Sequence, residues 1–365
     1  MEQLFFELLQ VAVGRRVCLS RTPSPEEWQT LFGWSGKQTV MGVCFVAVQR
    51  LHSQGQVPPQ RLIFEWLGAA EQIRQVNDVV TKRCKTVQKR FSDEGIRSAI
   101  LKGQAIATYY GEELQQYRQS GDIDVYVDCG LQRALQFAKA NGKDDTPKWD
   151  YKHLHLDVFR DTEVEVHYRV EVLLNLWKNR RLQCWLKANE AMLFDEGSEL
   201  TMPSCAFNTF YILLHIYRHF LYEGVGMRQL MDYYFVLEKN DGRMPAFADG
   251  STLEDVLRYF GMMRFAQGLM WVMRTVFNID KRLLPIAPLE SEGRFILNEV
   301  MTGGNFGHYG ERQKKSPSHG KLQTVKVVCQ HNLHLLRHYP ADGVWAPLWF
   351  VWHKCWKNNM KRKLK

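Results

Sequence analysis

The fold is decided by the stretch LKGQAIATYYGEELQQYRQSGDIDVYV, residues 101–127. Asp122 and Asp124 stand two positions apart in its β-rich end, and successive side chains of a strand point to opposite faces. The two aspartates therefore share one face of a predicted strand over residues 121–127. Two neighbouring carboxylates repel each other, and a hard divalent cation such as Mg²⁺, which prefers oxygen ligands, relieves that repulsion.

A third acid stands on a later predicted strand, residues 162–170, where charged residues alternate with valines. If this strand lies beside the first, Glu165 completes a cluster of three carboxylates with Asp122 and Asp124. Such a cluster can hold one or two Mg²⁺ ions against a triphosphate and support in-line displacement. A third carboxylate can also act as the base for an incoming hydroxyl group.

The turn before these aspartates has features of a phosphate site. Lys102 and Gly103 connect a predicted strand (96–101) to a predicted helix (104–111). Glycine lets a phosphate approach the backbone closely, and a helix N-terminus favours anions. Arg118 could reach the same phosphates with its planar guanidinium group.

The periodicity of the whole chain predicts an α+β fold, with a small mixed-sheet core flanked by N-terminal helices and a larger C-terminal helical region. We expect three regions: helices over 1–73, an α/β core over 74–170, and helices over 171–365. Strand candidates at 153–159 and 162–170 predict a hairpin in the core. The C-terminal region is expected to contain helical segments over 173–191, 207–222, 227–238, 252–277 and 291–301. A flexible loop near 302–320, a helix over 322–338 and a basic tail are expected to follow.

Composition narrows the class of protein. The 365 residues carry a formal net charge of +9, which favours polyanionic partners or simply keeps the surface soluble. The eight cysteines form no close CxxC pair, which is typical of reduced thiols in a cytoplasmic protein. The N-terminus lacks the basic segment of a signal peptide, and no apolar run is long enough for a transmembrane span.

These motifs together resemble the bacterial uncharacterised nucleotidyltransferase family of the DNA polymerase β-like superfamily. The resemblance is carried by Leu-Lys-Gly, by the arginine before Gly-Asp-Ile-Asp and by Val-Glu-Val-His, and it extends over about residues 75–240. It implies a magnesium- or manganese-dependent enzyme that transfers a nucleotidyl group from an NTP such as ATP. It implies that Asp122, Asp124 and Glu165 are the catalytic metal ligands. The nucleotide-binding residues that it implies are Lys102, Gly103, Gln104, Arg118 and Gly121.

Gln104 stands where the superfamily has a serine after the glycine turn. This departure favours an alternative function, a catalytically weak nucleotide- or partner-binding module with the same fold. The acceptor of an active enzyme is unidentified and could be a small molecule, a saccharide, a protein or RNA. A toxin-like enzyme that modifies RNA or protein is a further alternative.

Several polar residues are candidates for lining the substrate cleft. They are His155, His167, His219, Arg228 and Asp232. His153 and His155 form an HxH pair that could bind zinc, although the sequence shows no third ligand. Arg228 and Asp232 are four residues apart, so an ion pair within one helix is the simpler interpretation.

The tail changes from aromatic to basic residues between Trp345 and Lys365. This pattern is compatible with a peripheral contact with an anionic membrane surface. It is equally compatible with a helix that packs on the protein core and ends in a frayed basic segment.

Overall fold

The computed structural model describes residues 1–304 and 338–364, and it shows an α+β protein in which helices surround a four-stranded mixed sheet. The strands are β1 Ser98–Ile100, β2 Ile123–Val127, β3 His153–His155 and β4 Val164–His167. The helices are α1 Glu2–Ala12, α2 Pro25–Lys37, α3 Met41–His52, α4 Gln60–Asp93, α5 Gln104–Ala107, α6 Gly111–Gln115, α7 Gly130–Asn141, α8 Leu176–Ala188, α9 Cys205–Tyr222, α10 Met227–Asn240, α11 Leu253–Phe260, α12 Met263–Phe277, α13 Glu290–Gly303, α14 Pro340–Gly343 and α15 Trp345–Lys363.

The sheet has the order β1-β2-β4-β3. β2 pairs in parallel with β4, while β1 and β3 pair antiparallel with their neighbours. A parallel pair needs a crossover, and α7 lies in the connection from β2 to the β3–β4 hairpin. The hairpin predicted from the sequence is confirmed. Because Asp124 lies directly opposite Glu165 in the β2–β4 register, the two predicted acidic strands are indeed neighbours.

Helix α4 is a continuous element of 34 residues. In its first half Leu62 and Trp66 are buried in the larger, helical core, and in its second half Val87 and Phe91 are buried in the core under the sheet. The helix therefore runs through the predicted region boundary between residues 73 and 74. The division into three regions stays a prediction.

The helices after the sheet follow the predicted positions closely, with one break. The predicted helical segment 252–277 is divided into α11 and α12 at Gly261, whose φ of +69° places it in the left-handed region. Its N–H donates to the carbonyl oxygen of Arg258, and the N–H of Met262 donates to that of Leu257, which ends α11. The rest of the predicted loop beyond residue 304 and the predicted helix 322–338, apart from its last residue, lie outside the described residues.

Helix α15 packs beside the β3–β4 hairpin through its aromatic residues. Trp349, Trp352 and Trp356 surround the ring of Tyr151 edge-on, with centroid distances of 4.8 to 5.3 Å. The opposite face of the helix leaves Phe350 exposed. Among residues 1–304 and 338–364, no helix combines the length and the hydropathy that a membrane crossing requires.

Candidate active site

Three carboxylates converge near the start of the two central strands of the sheet. Asp122 precedes β2, Asp124 lies within it, and Glu165 lies opposite Asp124 on β4. One oxygen atom from each side chain can be chosen so that all three lie within 4.8 Å of one another. Parallel pairing of two short strands thus brings together acids that are about forty residues apart in the chain.

Neighbouring cationic side chains offset the negative charge of Asp124 more than that of Asp122. Lys102 Nζ lies 2.8 Å from Asp124 Oδ2 and 3.8 Å from Asp122 Oδ2, and His167 Nε2 lies 2.9 Å from Asp124 Oδ1. Burial alone would raise the pKa of Asp124, but Lys102 and His167 outweigh it and hold that pKa well below its usual range. The charge of Asp124, together with burial, raises the pKa of Asp122 instead.

The donor set fits a hard divalent cation. All three candidate ligand groups are carboxylates, which Mg²⁺ and Mn²⁺ prefer. The raised pKa of Asp122 expresses a repulsion between carboxylates that a cation would relieve. The residues predicted from the sequence as metal ligands are therefore suitably placed, although this arrangement alone leaves their role a prediction.

The turn at Gly103 lies beside the carboxylates. Gly103 has φ +62° and ψ −114°, a conformation that side chains other than hydrogen disfavour. A Cβ atom at this position would lie 3.7 Å from the carbonyl oxygen of Asp122. The 3.7 Å distance is an ordinary van der Waals contact, so it is the positive φ of this turn that favours glycine.

Gln104 is buried with its side chain turned toward α4, away from the turn. Its Nε2 donates to the Thr81 hydroxyl at 2.8 Å and to the Asn77 carbonyl at 3.3 Å. The side chain therefore anchors α5 to α4 in this state. A phosphate contact by the Gln104 side chain would require it to leave both partners.

Arg118 is engaged in a buried ion pair. Its Nε and Nη2 donate to the two carboxylate oxygens of Asp232 at 2.7 and 2.8 Å, and the Tyr110 hydroxyl donates to the same carboxylate at 2.7 Å. Burial opposes the charged form, but the contact with Asp232 outweighs it and raises the pKa of Arg118. The structure thus gives Asp232 a partner outside its own helix, in place of the simple pair with Arg228.

Arg228 is the contrasting guanidinium group. Its Nη1 donates to the Gln119 carbonyl at 3.0 Å, and its buried Nε has no hydrogen-bond partner. No carboxylate among residues 1–304 and 338–364 forms an ion pair with it. Its Nη1 lies 3.6 Å from the position of a Cβ atom on Gly121, so only a small residue leaves this space free. Burial and the charge of Arg118 lower the pKa of Arg228, which indicates a cation suited to receiving an anion.

A cavity of about 380 Å³ opens in front of Asp122 and Glu165. Helix α9 contributes His219 to its wall, and α15 contributes Trp349 and His353. Burial and the charge of Arg218 lower the pKa of His219 to about 4, so its imidazole is neutral at pH 7. His219 was predicted as a cleft residue, whereas the participation of α15 was not predicted.

The comparisons with known proteins agree with this geometry. The sequence model of a family described as uncharacterised nucleotidyltransferase matches residues 24–278. The chain belongs to the uncharacterised nucleotidyltransferase family. No curated protein and no solved structure gives a significant match to the chain. Membership of this family supports nucleotidyl transfer as the general reaction.

The match to the uncharacterised nucleotidyltransferase family includes the whole sheet and the glycine turn, and it ends before α15. Trp349 and His353, which line the cavity, therefore lie outside the segment that defines the family. The spacing of aromatic residues along the tail predicts that one face of a helix is packed. It does not predict which part of the protein that face packs against.

Sequence reasoning also missed a buried ion cluster behind the cavity. The carboxylate of Glu171 is fully buried. Its oxygen atoms lie 3.5 Å from Lys152 Nζ, 3.1 Å from His215 Nδ1 and 3.2 Å from Arg218 Nε. Burial alone would raise the pKa of Glu171, but the charges of Lys152 and Arg218 outweigh it and hold that pKa well below its usual range. A single acid inside the apolar run Val170–Leu173 was the available signal, since such an acid must find cations when it is buried.

The two histidines predicted near the cleft on the hairpin differ in their surroundings. His155 Nδ1 lies 2.7 Å from Glu163 at a half-exposed position. His167 is buried and contacts both Asp124 and Glu165. His167 thus touches the carboxylate cluster itself, while His155 lies on its rim.

Proposed function

We propose that this chain is a divalent-metal-dependent nucleotidyltransferase that moves a nucleoside monophosphate from an NTP to an acceptor bound in the 380 Å³ cavity. The convergence of Asp122, Asp124 and Glu165 supports this proposal most strongly. The glycine turn and the family membership agree with it. The resemblance to the DNA polymerase β-like superfamily and a bacterial origin belong to the same proposal.

In this proposal Asp122, Asp124 and Glu165 hold Mg²⁺ or Mn²⁺. The bound cation would neutralise charge on the triphosphate and on the leaving pyrophosphate. Lys102 and His167 keep Asp124 ionised, so that a ligand is ready when the cation arrives. The partly exposed Glu165 faces the cavity, where it can accept the proton of an acceptor hydroxyl group.

We assign the direct phosphate contact to Arg228 and a supporting role to Arg118. Arg228 lines a small space together with Lys102, Gly103 and Asp122, and it has no carboxylate partner among the described residues. Arg118 is held by Asp232, so it would have to break a buried bidentate pair to reach a phosphate. The contribution of Gln104 would come through its anchoring of α5 to α4.

Isothermal titration calorimetry with Mg²⁺–ATP tests this proposal. Wild-type protein should bind the nucleotide only when Mg²⁺ or Mn²⁺ is present, and Asp122→Asn should abolish that metal dependence. Asp255→Asn, which changes an exposed acid on α11, is the matched control and should bind like wild type. Equal binding by Asp122→Asn would refute the assignment of the metal ligands.

A test of catalysis distinguishes the proposed enzyme from the alternative, a nucleotide- or partner-binding module. Pyrophosphate release, measured with cell extract as the source of acceptor, should require both Mg²⁺ and intact Asp122. Nucleotide binding without pyrophosphate release would favour the binding module. The fact that favours this module is the buried side chain of Gln104, which turns away from the glycine turn.

A cytoplasmic location with a peripheral membrane contact of the tail is a separate proposal. It is supported by the outer face of α15, where Phe350 and Val351 are 62% and 67% exposed and basic residues follow. Flotation with vesicles that contain anionic lipid should recover wild-type protein but not a Phe350→Ser/Val351→Ser variant. Equal flotation of the two proteins would remove the proposal.

A further inference from the structure

The register of the β3–β4 hairpin places two imidazoles beside Glu165. His153 lies directly opposite His167 across the antiparallel pair, so the two side chains share one face of the sheet. Glu165 precedes His167 by two positions and shares this face as well. One ligand atom from each of the three side chains can be chosen so that all lie within 4.8 Å of one another. In the fold, Glu165 and His167 are therefore the candidate ligands beside His153, in place of the His155 partner that the HxH pattern indicates.

The distances in this group are characteristic of a metal site. His153 Nε2 lies 3.4 Å from Glu165 Oε1, and His167 Nε2 lies 3.3 Å from Glu165 Oε2. Both separations exceed the range of a good N–H···O hydrogen bond. They equal the distance of about 3.4 Å that separates two ligands of a tetrahedral ion with bonds of about 2.1 Å. The His153–Glu165 and His167–Glu165 pairs therefore lie at the spacing of metal ligands. An ion bound here would replace the 2.9 Å contact between His167 Nε2 and Asp124 Oδ1, and Lys102 would remain to hold Asp124 ionised.

We infer that His153, Glu165 and His167 form a second divalent-cation site, selective for an ion of borderline softness such as Zn²⁺ or Co²⁺. Two imidazole nitrogens favour these ions, whereas Mg²⁺ prefers ligands that are all oxygen. Since Asp122 and Asp124 bring only oxygen, the two adjacent sites share Glu165 and select different ions.

The site has an open side. His153 and Glu165 both line the 380 Å³ cavity, while His167 is buried beneath them. Three protein ligands with a fourth position open to a cavity is the arrangement of catalytic zinc sites, whereas structural zinc sites are closed by four protein ligands. An ion held here would face the acceptor side of the cavity and could bind an oxygen atom of whatever enters it.

Titration of metal-free protein with Co²⁺ tests this inference without a nucleotide or an acceptor. In buffer that contains excess Mg²⁺, wild-type protein should bind one Co²⁺ with the visible absorption of a four- or five-coordinate ion. His153→Gln should weaken this binding at least tenfold and lose the absorption. His52→Gln, which changes an exposed histidine at the end of α3, is the matched control and should change the affinity less than twofold.

The inference is overturned if wild-type protein shows no such absorption, or if His153→Gln and His52→Gln bind Co²⁺ equally well. Circular dichroism and thermal unfolding of each variant identify a loss that is caused by misfolding. In that case His153→Asn, which is smaller and keeps a polar group, replaces the first variant and the same two results decide. Because the readout is Co²⁺ alone, its failure is distinct from failure of Mg²⁺–ATP binding by the proposed enzyme.

Discussion

The two walls of the 380 Å³ cavity are built by different interactions. The sheet wall holds Asp122 and Glu165 through strand register and buried ion pairs, and it lies within the segment that matches the family. The α15 wall holds Trp349 and His353 through ring packing on Tyr151, and it lies outside that segment. Damage to the buried polar interior should affect the whole fold, whereas damage to the α15 wall should remain local.

The strongest test of the polar interior is Asp232→Asn. This change leaves the Arg118 guanidinium buried without its bidentate partner, so the free energy of unfolding should fall by about 3–5 kcal/mol. Urea unfolding followed by circular dichroism measures the change. Glu254→Gln, which removes the exposed partner of Arg258 on α11, should cost less than about 1 kcal/mol. Similar losses in the two variants would contradict the distinction between buried and exposed pairs.

Lowering the pH should reduce the free energy of unfolding, because buried histidines that are neutral in the folded protein take up protons more readily in the unfolded chain. The folded-state pKa of His219 is about 4, below its ordinary value, because burial and Arg218 disfavour the charged form. The unfolded chain therefore binds this proton first as the pH falls, and the free energy of unfolding should drop between pH 6.5 and 4 by roughly 3 kcal/mol for this group.

A His219→Gln variant sharpens this test, because it should lose part of the slope of stability against pH. It should not lose all of the slope, since burial and the charge of His167 also lower the pKa of His153 to about 4. Denaturant unfolding at several pH values gives the slope. An unchanged slope in the variant would show that His219 does not contribute.

For the aromatic wall, Trp349→Ala should release α15 while the rest of the fold stays intact. Trp349 is 6% exposed, and its packing on Tyr151 holds the helix to the hairpin side of the cavity. Tryptic cleavage at the lysines of α15 should accelerate at least tenfold, as expected for local opening. Phe350→Ala, its exposed neighbour, should cleave like wild type, and equal acceleration in both variants would refute the assignment of the packed face.

The smallest expected effect is that of Arg228→Gln on nucleotide binding. Loss of one charged hydrogen-bond donor to a phosphate should weaken Mg²⁺–ATP binding about tenfold, with little change in global stability. Calorimetry measures the affinity, and Arg243→Gln at an exposed position is the control. A normal affinity for Arg228→Gln would return the phosphate contact to Lys102 or Arg118.

Local pattern was sufficient to predict the sheet wall. The alternation around Asp122 and Asp124 predicted β2, the hairpin signal predicted β3 and β4, and the placement of Glu165 opposite Asp124 followed once these strands were adjacent. Periodicity predicts which face of an element is buried, because this face depends on residues within a few positions of one another.

The remaining parts of the site depend on contacts between distant segments. Asp232 binds Arg118 across 114 positions, and Lys178 reaches Asp342 across 164. Nothing in the local sequence of either partner specifies the other, so a simple ion pair within α10 was the reasonable expectation for Asp232. The aromatic pattern of α15 predicted a packed helix, but it did not predict that this helix would line the cavity.

The length of α4 has a consequence for experiments that divide this protein into parts. At about 1.5 Å per residue the helix is about 51 Å long, and its two halves are buried in different cores. Cutting the gene at residue 73 would interrupt this helix and separate α1–α3 from later helices such as α12, with which they share the larger core. Apolar side chains of that core would then be exposed in both fragments. The sheet should therefore be expressed together with α1–α4, and a fragment that begins at residue 74 should aggregate.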